Sequence, residues 1–334
     1  MYRRRVRAVA IVNGNARRVR GRMERRLAKA FPGGVRLTES LDHARETIRA
    51  EIARGVDLLL LGGGDGTFVM GLTLSAEACR GLGKPEPAVG VLRLGSGNAI
   101  ADTVGATDDV EQDLRTLARG GGVWSQVPMM EALGVRAPFV GIGIDAQVLE
   151  DHQEIGKVVD RVPGGKRFVG GGARYVLSVA LRSIPRFATI ARPNAIVTNL
   201  GSPAITMREG GVEGEKIAAG ERLWSGACTL VAGATIPYFG FGLKMFAFAS
   251  PESGKFHLRC GSPRILEVLR NVPAAFRGEY FSEHIADFLC DRVAIELDRE
   301  TAIEAGGELL GRRSRVELGL TAPVTLVSLA KLPL

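Results

Sequence analysis

The sequence predicts an α/β amino-terminal domain with a doubly wound parallel sheet, followed by a larger, mainly antiparallel β domain. Strand-like and helix-like segments alternate up to about residue 119, which is the pattern of parallel βαβ units covered on both faces. After Pro128, strand-like runs follow one another with few helices between them, which favours antiparallel pairing. We therefore predict domains over residues 1–127 and 128–334, and leave open that a last strand near 323–331 returns to the first domain.

The first domain consists of short apolar runs separated by amphipathic segments. The short runs predict strands and the amphipathic segments predict helices. Glycine-rich sequences follow the third and fourth strands, and each opens into a helix. In chain order we predict a strand over 6–12, a helix over 16–31, a strand over 35–39, a helix over 42–54, a strand over 56–61, a helix over about 68–80, a strand over 88–94 and a helix over 110–119.

The second domain is predicted from five strand-like pieces and two helical ones. One run without charged residues, 226–243, has nearly the length of a membrane span. Its four glycines, Pro237 and its strand-favouring residues indicate a buried sheet segment instead of a transmembrane helix. The strand-like pieces are FVGIGIDAQV, NAIVTNL, CTLVAGATI, KFHLRC and RVAIELD, and the helical pieces are RYVLSVALRSI and RILEVLRNV.

Length and composition indicate a globular protein with a sizeable core, since the chain has 334 residues and 46% of them are hydrophobic. The four cysteines lie far apart without a C-x-x-C pair, which argues against a disulfide framework and a zinc site. His257 and Cys260 have no partner pair, so we interpret both as structural. We expect no export signal at the amino terminus, because its apolar run is short and enters a strand-like pattern, and we expect a cytoplasmic location.

The chain is basic, with a formal net charge of +8. Nucleic acid, nucleotide phosphates and an anionic membrane surface are all partners that this charge favours, and its sign does not choose among them. Part of the surplus lies in one predicted helix, where it indicates either attraction to an anionic membrane or a solvated basic face. The arginines of this helix are Arg17, Arg18, Arg20, Arg22, Arg25 and Arg26.

The sequence GGGDGT, Gly62 to Thr67, follows four leucines directly. A loop that leaves the carboxyl end of a parallel strand lies where open α/β sheets bind ligands, and the next helix presents unpaired N–H groups. Glycine lets a phosphate approach the backbone closely. Asp65 is then a candidate to hold Mg²⁺ or to orient a phosphoryl acceptor. The alternative is a tight turn in which Asp65 or Thr67 only caps the helix.

A second glycine loop strengthens the functional interpretation. LGSGNAIADTVG, Leu94 to Gly105, again follows a strand and opens into a helix, so two successive loops can embrace one nucleotide. Asn13 ends the first strand at the same predicted edge.

These motifs resemble the diacylglycerol kinase catalytic-domain family, which includes bacterial lipid kinases and sphingosine kinases and is distantly related to NAD kinases. The pairing of GGDGT with G-[ST]-G-N some thirty residues later is its most specific part. The resemblance rests on VNGNA at 12–16, TESLDHA at 38–44, VDLLLLGGGDGT at 56–67, LGSGNAIA at 94–101, VGIGIDAQV at 140–148 and YFGFGLKMFAFASPESGKFHL at 238–258.

The resemblance implies ATP- and Mg²⁺-dependent phosphorylation of a lipid hydroxyl, such as that of diacylglycerol or a sphingoid base. It implies that Asp65 is both a metal ligand and a catalytic residue, and that Glu308, in EAGGELLG, matches the glutamate of a late D-G-E motif that accepts the proton of the hydroxyl. The residues that match the family's nucleotide-binding loops are Asn13, Gly63, Gly64, Asp65, Gly66, Thr67, Gly95, Ser96, Gly97 and Asn98.

Three departures from the family pattern remove acidic groups, at Gly306, Ser253 and Ala99. A catalytically silent nucleotide- or lipid-binding member is therefore an alternative, and NAD kinase-like activity is a weaker one.

The resemblance also implies a lipid substrate held in the second domain. We expect its acyl chains among apolar residues next to the uncharged run, although a core interpretation is open for each of them. We expect peripheral contact with an anionic membrane surface and no nucleic acid partner, and we leave a homodimer open. The expected lining is Tyr238, Phe239, Phe241, Met245, Phe246 and Phe248.

Overall fold

The computed structural model describes residues 6–16, 19, 21–32, 34–95, 98–143, 146–147, 149–150, 192–239, 243–250 and 253–329. Two β sheets organise these residues. The helices are α1 (Arg22–Ala30), α2 (Leu41–Ala53), α3 (Asp65–Leu82), α4 (Ala99–Thr103), α5 (Val110–Ala118) and α6 (Ile265–Arg277).

The first sheet consists of β1 (Ala8–Asn13), β2 (Val35–Thr38), β3 (Leu58–Gly63), β4 (Ala88–Arg93), β5 (Val123–Val127) and β18 (Val324–Ser328). Their order is β2-β1-β3-β4-β18-β5, and the pairs are parallel except for β5 with β18. All six residues of β3 are buried, as expected for a strand covered on both faces. The carboxyl ends of β1, β3 and β4 therefore meet at one edge.

The second sheet has the order β11-β10-β15-β14-β13-β8-β16-β17-β6-β7, with β9 pairing with β16 and β12. Its described pairs are antiparallel. The strands are β6 (Met130–Ala132), β7 (Val135–Ala137), β8 (Phe139–Gly143), β9 (Asn194–Asn199), β10 (Ala204–Arg208), β11 (Val212–Ile217), β12 (Arg222–Ala227), β13 (Leu230–Ala234), β14 (Phe256–Gly261), β15 (Ile285–Cys290), β16 (Arg292–Ala305) and β17 (Glu308–Leu320).

Short polar signals mark several helix ends. Ser40 begins α2, and its side chain accepts a hydrogen bond from the His43 N–H. Asp109 caps α5 in the same way, through the Gln112 N–H. Gly83 ends α3 with a φ of 61°, a left-handed conformation that favours glycine.

The predicted fold class is confirmed by these two sheets, whereas two predicted helix starts were wrong. The first helix begins at Arg22 and not at residue 16, because the chain turns through Ala16 and Val19 and then passes Gly21, whose φ is 45°. The third helix begins at Asp65, so this residue is already helical and does not lie in the loop. The domain bounds at 127 and 128 stay a prediction.

The uncharged run 226–243 is partly sheet, because it contains the end of β12 and all of β13, whose residues are buried throughout, whereas residues 235–239 form no strand. None of the helices in the described part of the chain is long and apolar enough to cross a membrane. The helical piece RILEVLRNV is confirmed as part of α6, and RYVLSVALRSI lies outside the described residues.

Candidate active site

Two glycine loops lie side by side at the carboxyl ends of β3 and β4. Gly63 pairs with Arg93 in the parallel ladder, so both loops leave the same edge of the sheet. The loops touch, because a Cβ built on Gly95 would lie 2.2 Å from the Gly64 Cα. A side chain at position 95 would therefore force the backbones apart. The two loops therefore meet backbone to backbone at Gly64 and Gly95.

Asp65 connects the two loops. Its Oδ2 accepts a hydrogen bond from the Ala99 N–H at 3.1 Å, and its Oδ1 accepts one from the Ile100 N–H at 3.1 Å. These N–H groups open α4, where they have no partner inside the helix. Asp65 therefore caps a helix, as the turn alternative of the sequence analysis proposed. The helix that it caps, however, is α4 and not α3, to which Asp65 belongs.

Burial raises the pKa of Asp65 from 3.8 to about 6. The hydrogen bonds from Ile100 and Ala99 lower the pKa, the nearby Asp102 carboxylate raises it, and the Arg93 guanidinium lowers it. Arg93 also forms an ion pair with Asp102 through Nη1. A carboxylate whose pKa is moved towards neutrality by burial is a candidate for proton transfer.

Asn13 connects the end of the first strand to the first turn of α3. Its Nδ2 donates a hydrogen bond to the Thr67 hydroxyl at 3.3 Å, and its Oδ1 accepts one from the Asn15 N–H at 2.9 Å. The Asn15 side chain in turn donates to the Glu39 carbonyl, beyond the end of β2. Polar groups from three strand ends are thus held in one network.

A cavity of about 320 Å³ opens beside this network. This volume lies in the range of small-molecule sites. The polar lining residues include Asn13, Asn15, Thr38, Thr67 and Glu308, and the apolar ones include Ile11, Ile48, Met70 and Leu74.

Glu308 belongs to the second sheet, yet its side chain reaches the first turn of α3, directly after the first glycine loop. It begins β17 after a tight hairpin turn in which Gly306 and Gly307 have φ values of 56° and 85°. A Cβ built on Gly66 would lie 1.9 Å from the Glu308 Oε1, so the carboxyl group occupies the space that glycine leaves. Burial raises the pKa of Glu308.

The apolar residues expected to hold lipid are mostly packed against the core of the second sheet. Phe246 is 1% exposed, and its ring lies 5.8 Å from that of Phe239 and 5.6 Å from that of His257. Tyr238 and Met245 are partly buried against the same core. We call Tyr238, Phe239, Met245, Phe246 and Phe248 the aromatic segment.

A buried polar network lies beneath the aromatic segment. The Arg259 Nε donates to the Asp287 Oδ1 at 2.7 Å, and the His257 Nε2 lies 2.9 Å from the same oxygen. Arg259 also donates to the backbone carbonyls of Met245 and Tyr280. Burial lowers the pKa of His257, which favours its neutral form. His257 is thus structural, as its sequence context indicated.

A known protein family matches the amino-terminal part of the chain, which contains five of the six strands of the first sheet. Residues 7–127 match the sequence profile of the diacylglycerol kinase catalytic domain. The resemblance to the diacylglycerol kinase catalytic-domain family is confirmed over these residues. No curated protein sequence matches the chain.

Solved structures share the fold of the whole chain. A candidate diacylglycerol kinase from Bacillus anthracis str. Sterne matches with a TM-score of 0.67 and 17% identity, over 97% of this chain and 98% of its own. A diacylglycerol kinase from the same organism matches with a TM-score of 0.62 and 16% identity, over 98% of this chain and 99% of its own. At these identities the likeness shows a common fold.

Two departures from the diacylglycerol kinase pattern have a steric explanation. A Cβ built on Gly306 would lie 2.2 Å from the Val69 Cγ2, so α3 fills the space of the missing carboxylate. Ala99 is completely buried at the start of α4. A larger side chain at either position would require its neighbours to shift.

Sequence reasoning missed Glu304, which shapes the turn before Glu308. Glu304 is 3% exposed, and its Oε2 accepts a hydrogen bond from the Gly307 N–H at 2.9 Å. The E-A-G-G-E spacing was the signal, since a carboxylate three residues before a glycine turn can accept that N–H. Of the predicted site residues, Ser96, Gly97 and Phe241 lie outside the described residues.

Proposed function

We propose that the protein is a lipid kinase that uses ATP and Mg²⁺ to phosphorylate the hydroxyl of a lipid such as diacylglycerol or a sphingoid base. The observation that carries the proposal is the position of Glu308. A carboxyl group from the second sheet lies against Gly66, beside the glycine loops of the first sheet. A proton acceptor beside an anion-binding backbone surface is what phosphoryl transfer to an alcohol requires.

The glycine loops fit the phosphates of a nucleotide. Their backbones approach each other too closely for a side chain at Gly95, and α3 directs its first N–H groups towards this edge. The Asn98 Oδ1 is buried and accepts no hydrogen bond from another described residue, which leaves an acceptor for a ligand N–H or hydroxyl. The residues proposed to hold ATP are Asn13, Gly63, Gly64, Gly66, Thr67, Gly95, Ser96, Gly97 and Asn98.

The described residues fit Mg²⁺ held chiefly through nucleotide phosphates. They contain no cluster of three or more acidic, histidine or cysteine side chains suited to a metal. Mg²⁺ is often bound by one or two carboxylates together with substrate phosphates. Bound there, the ion would neutralise charge that develops on the phosphates. Asp65 is the proposed ligand, because a carboxylate oxygen that accepts one backbone N–H retains a second lone pair.

Glu308 is the proposed proton acceptor for the lipid hydroxyl. Asp65 is the other candidate, but both of its oxygens already accept hydrogen bonds and a bound metal would reduce its basicity further. Burial raises the pKa of Glu308, which makes its carboxylate a stronger base than an exposed one.

The aromatic segment, together with Phe241, is proposed to line the path of the acyl chain. Tyr238, Phe239 and Met245 keep some exposure, whereas Phe246 supports them from the core. We place the protein in the cytoplasm, in peripheral contact with an anionic membrane that carries the substrate.

A catalytically silent lipid- or nucleotide-binding protein is the second candidate. It is favoured by Asp65, whose carboxylate already fulfils a structural role at α4, and by Gly306, where Val69 leaves no room for a second carboxylate. Such a protein would bind ATP and transfer no phosphoryl group.

Incubation with labelled ATP, Mg²⁺ and a mixed lipid extract separates the two candidates. The proposed kinase produces a labelled lipid, and Glu308→Gln, which leaves the glycine loops unchanged, produces much less of it. ATP binding without labelled lipid from either protein would overturn the kinase and support the silent member.

A further inference from the structure

Four large apolar side chains form a stripe on the solvent side of α6. Leu266 is 66% exposed, Leu269 48%, Val272 37% and Phe276 47%. Their spacing of three, three and four residues places them along one side of the helix. No other helix or strand of the described chain carries more than two exposed large hydrophobic residues. Such a concentration marks an interaction surface.

The opposite side of α6 packs against the rest of the protein. Ala275 is buried with Tyr280 and Ile285, and Met245 of the aromatic segment packs against this cluster. The Lys244 N–H also donates to the Ala275 carbonyl at 2.8 Å. Among the described residues, the stripe is therefore not part of a hydrophobic core cluster, and it lies next to the proposed path of the acyl chain.

Basic residues accompany the stripe. Arg270 and Arg277 follow Leu266 by four and eleven residues, which places them along one edge of the stripe. Arg264 is exposed just before the helix. The acidic residue of the helix, Glu267, is turned away, since its Oε1 accepts a hydrogen bond from the Tyr280 hydroxyl on the packed side. Arg277 pairs with Glu279, so Arg264 and Arg270 are the principal cations.

We propose that the stripe of α6 docks on an anionic lipid bilayer. An apolar helix face bordered by arginines suits the headgroup boundary, where apolar side chains insert and cations meet anionic headgroups. Docking next to the aromatic segment would bring a membrane-borne alcohol to the site. In this respect the proposal rests on the proposed function.

Cosedimentation with vesicles tests the proposal. Wild-type protein should bind vesicles of phosphatidylcholine and phosphatidylglycerol more strongly than vesicles of phosphatidylcholine alone. The double substitution Leu269→Gln with Phe276→Gln should lower this binding at least about tenfold, because two inserting side chains are lost. Arg270→Gln should lower binding to the anionic vesicles about fivefold and leave binding to the neutral vesicles unchanged.

The control removes equally exposed apolar side chains from the second sheet. Ile196 is 44% exposed and Val212 57%, so Ile196→Gln with Val212→Gln changes surface polarity by a similar amount. Binding of this control should equal that of the wild type. Equal binding by the α6 variant, or no binding by the wild type, would overturn the proposal.

Two other occupants of the stripe have their own signatures. If sedimentation shows a wild-type dimer that the α6 variant dissociates, the stripe is an interface between two copies of the chain. If the α6 variant melts well below the Ile196 and Val212 control, the stripe packs against the protein itself. Either result overturns membrane docking. Binding is measured without nucleotide, so a protein that binds vesicles through α6 and transfers no phosphoryl group overturns only the proposed function.

Discussion

Two regions of the molecule use their polar side chains differently. One is the sheet edge at the glycine loops, and the other is the buried network beneath the aromatic segment. At the loop edge, polar groups from β1, β2, the start of α3 and the β16–β17 hairpin line a cavity, and the Asn98 Oδ1 is buried without a described donor. Under the aromatic segment, the Asp287 oxygens accept from Arg259, and one of them also contacts His257. The first region keeps polar capacity for a ligand, whereas the second uses its polar groups to hold the fold.

This difference separates two kinds of mutational effect. Changes at the loop edge should reduce turnover more than they reduce stability. Changes beneath the aromatic segment should reduce stability first, since they leave a buried charge without its partner.

The largest effect on turnover is expected for Asp65→Asn. The amide cannot serve as an anionic metal ligand, so phosphoryl transfer should fall by about 10⁴, because a bound metal supplies several kcal/mol of transition-state stabilisation. One backbone N–H of α4 also loses its acceptor, which should cost about 1–3 kcal/mol of unfolding free energy. Initial rates and urea unfolding measure the two effects. Glu77→Gln, on the exposed side of α3, is the control. Wild-type turnover in Asp65→Asn would reduce Asp65 to a helix cap.

Asp287→Asn should give the reverse pattern. Burial would raise the pKa of Asp287, but the His257 hydrogen bond and the Arg259 charge outweigh it and lower the pKa. Because the folded pKa is lowered, this stabilisation is present at neutral pH and is lost as the pH falls below the usual aspartate range. Removing the Asp287 charge leaves the buried Arg259 charge without its partner, which should lower the free energy of unfolding by about 3–5 kcal/mol. Urea unfolding of this variant measures the loss, and Glu213→Gln, an exposed change on β11, is the control. A stability equal to that of the control would show that Arg259 is satisfied without Asp287.

Glu308→Gln should lower turnover about 10²-fold, with ATP affinity little changed. Wild-type turnover should rise with pH through the raised pKa of Glu308, because only the ionised carboxylate accepts a proton. This limb of the profile should disappear in Glu308→Gln and persist in Glu300→Gln, an exposed change on the same hairpin. An equal loss of ATP binding, measured by titration, would instead assign Glu308 to the nucleotide or metal.

The sequence predicted the adjacency of the loops more successfully than their side-chain partners. Buried apolar runs followed by GGGDGT and GSGN are local patterns, and parallel pairing then brings Gly64 and Gly95 together. The partners of Asp65 are N–H groups of α4, more than thirty residues away. No local pattern predicts them, because they depend on how α4 packs against α3 and β4.

Sequence reasoning missed several strands of the second sheet, both exposed ones such as β11 and mostly buried ones such as β15. β11, VEGEKI, has five exposed residues and lies at the edge of the second sheet, so it lacks the alternation that marks a half-buried strand. The sequence also did not predict the steric role of Gly306, since Val69, which approaches it, lies in α3.

The smallest effect, and the sharpest test of contact between the two sheets, is expected for Gly66→Ala. The added Cβ would lie 1.9 Å from the Glu308 Oε1, so the carboxyl group must move. Displacement of a catalytic group by about 1 Å costs at most about 10²-fold in rate, and less where the flexible side chain recovers its position. Gly81→Ala on the same helix is the matched control, because its Cβ would meet only the Arg49 Nη1 at 3.5 Å.

If the clash with Glu308 is the cause, Gly66→Ala should lower the rate in the wild-type background and have no further effect in Glu308→Ala. A loss of equal size in both backgrounds would mean that Gly66 acts on the nucleotide directly and that the contact between the sheets does not position Glu308.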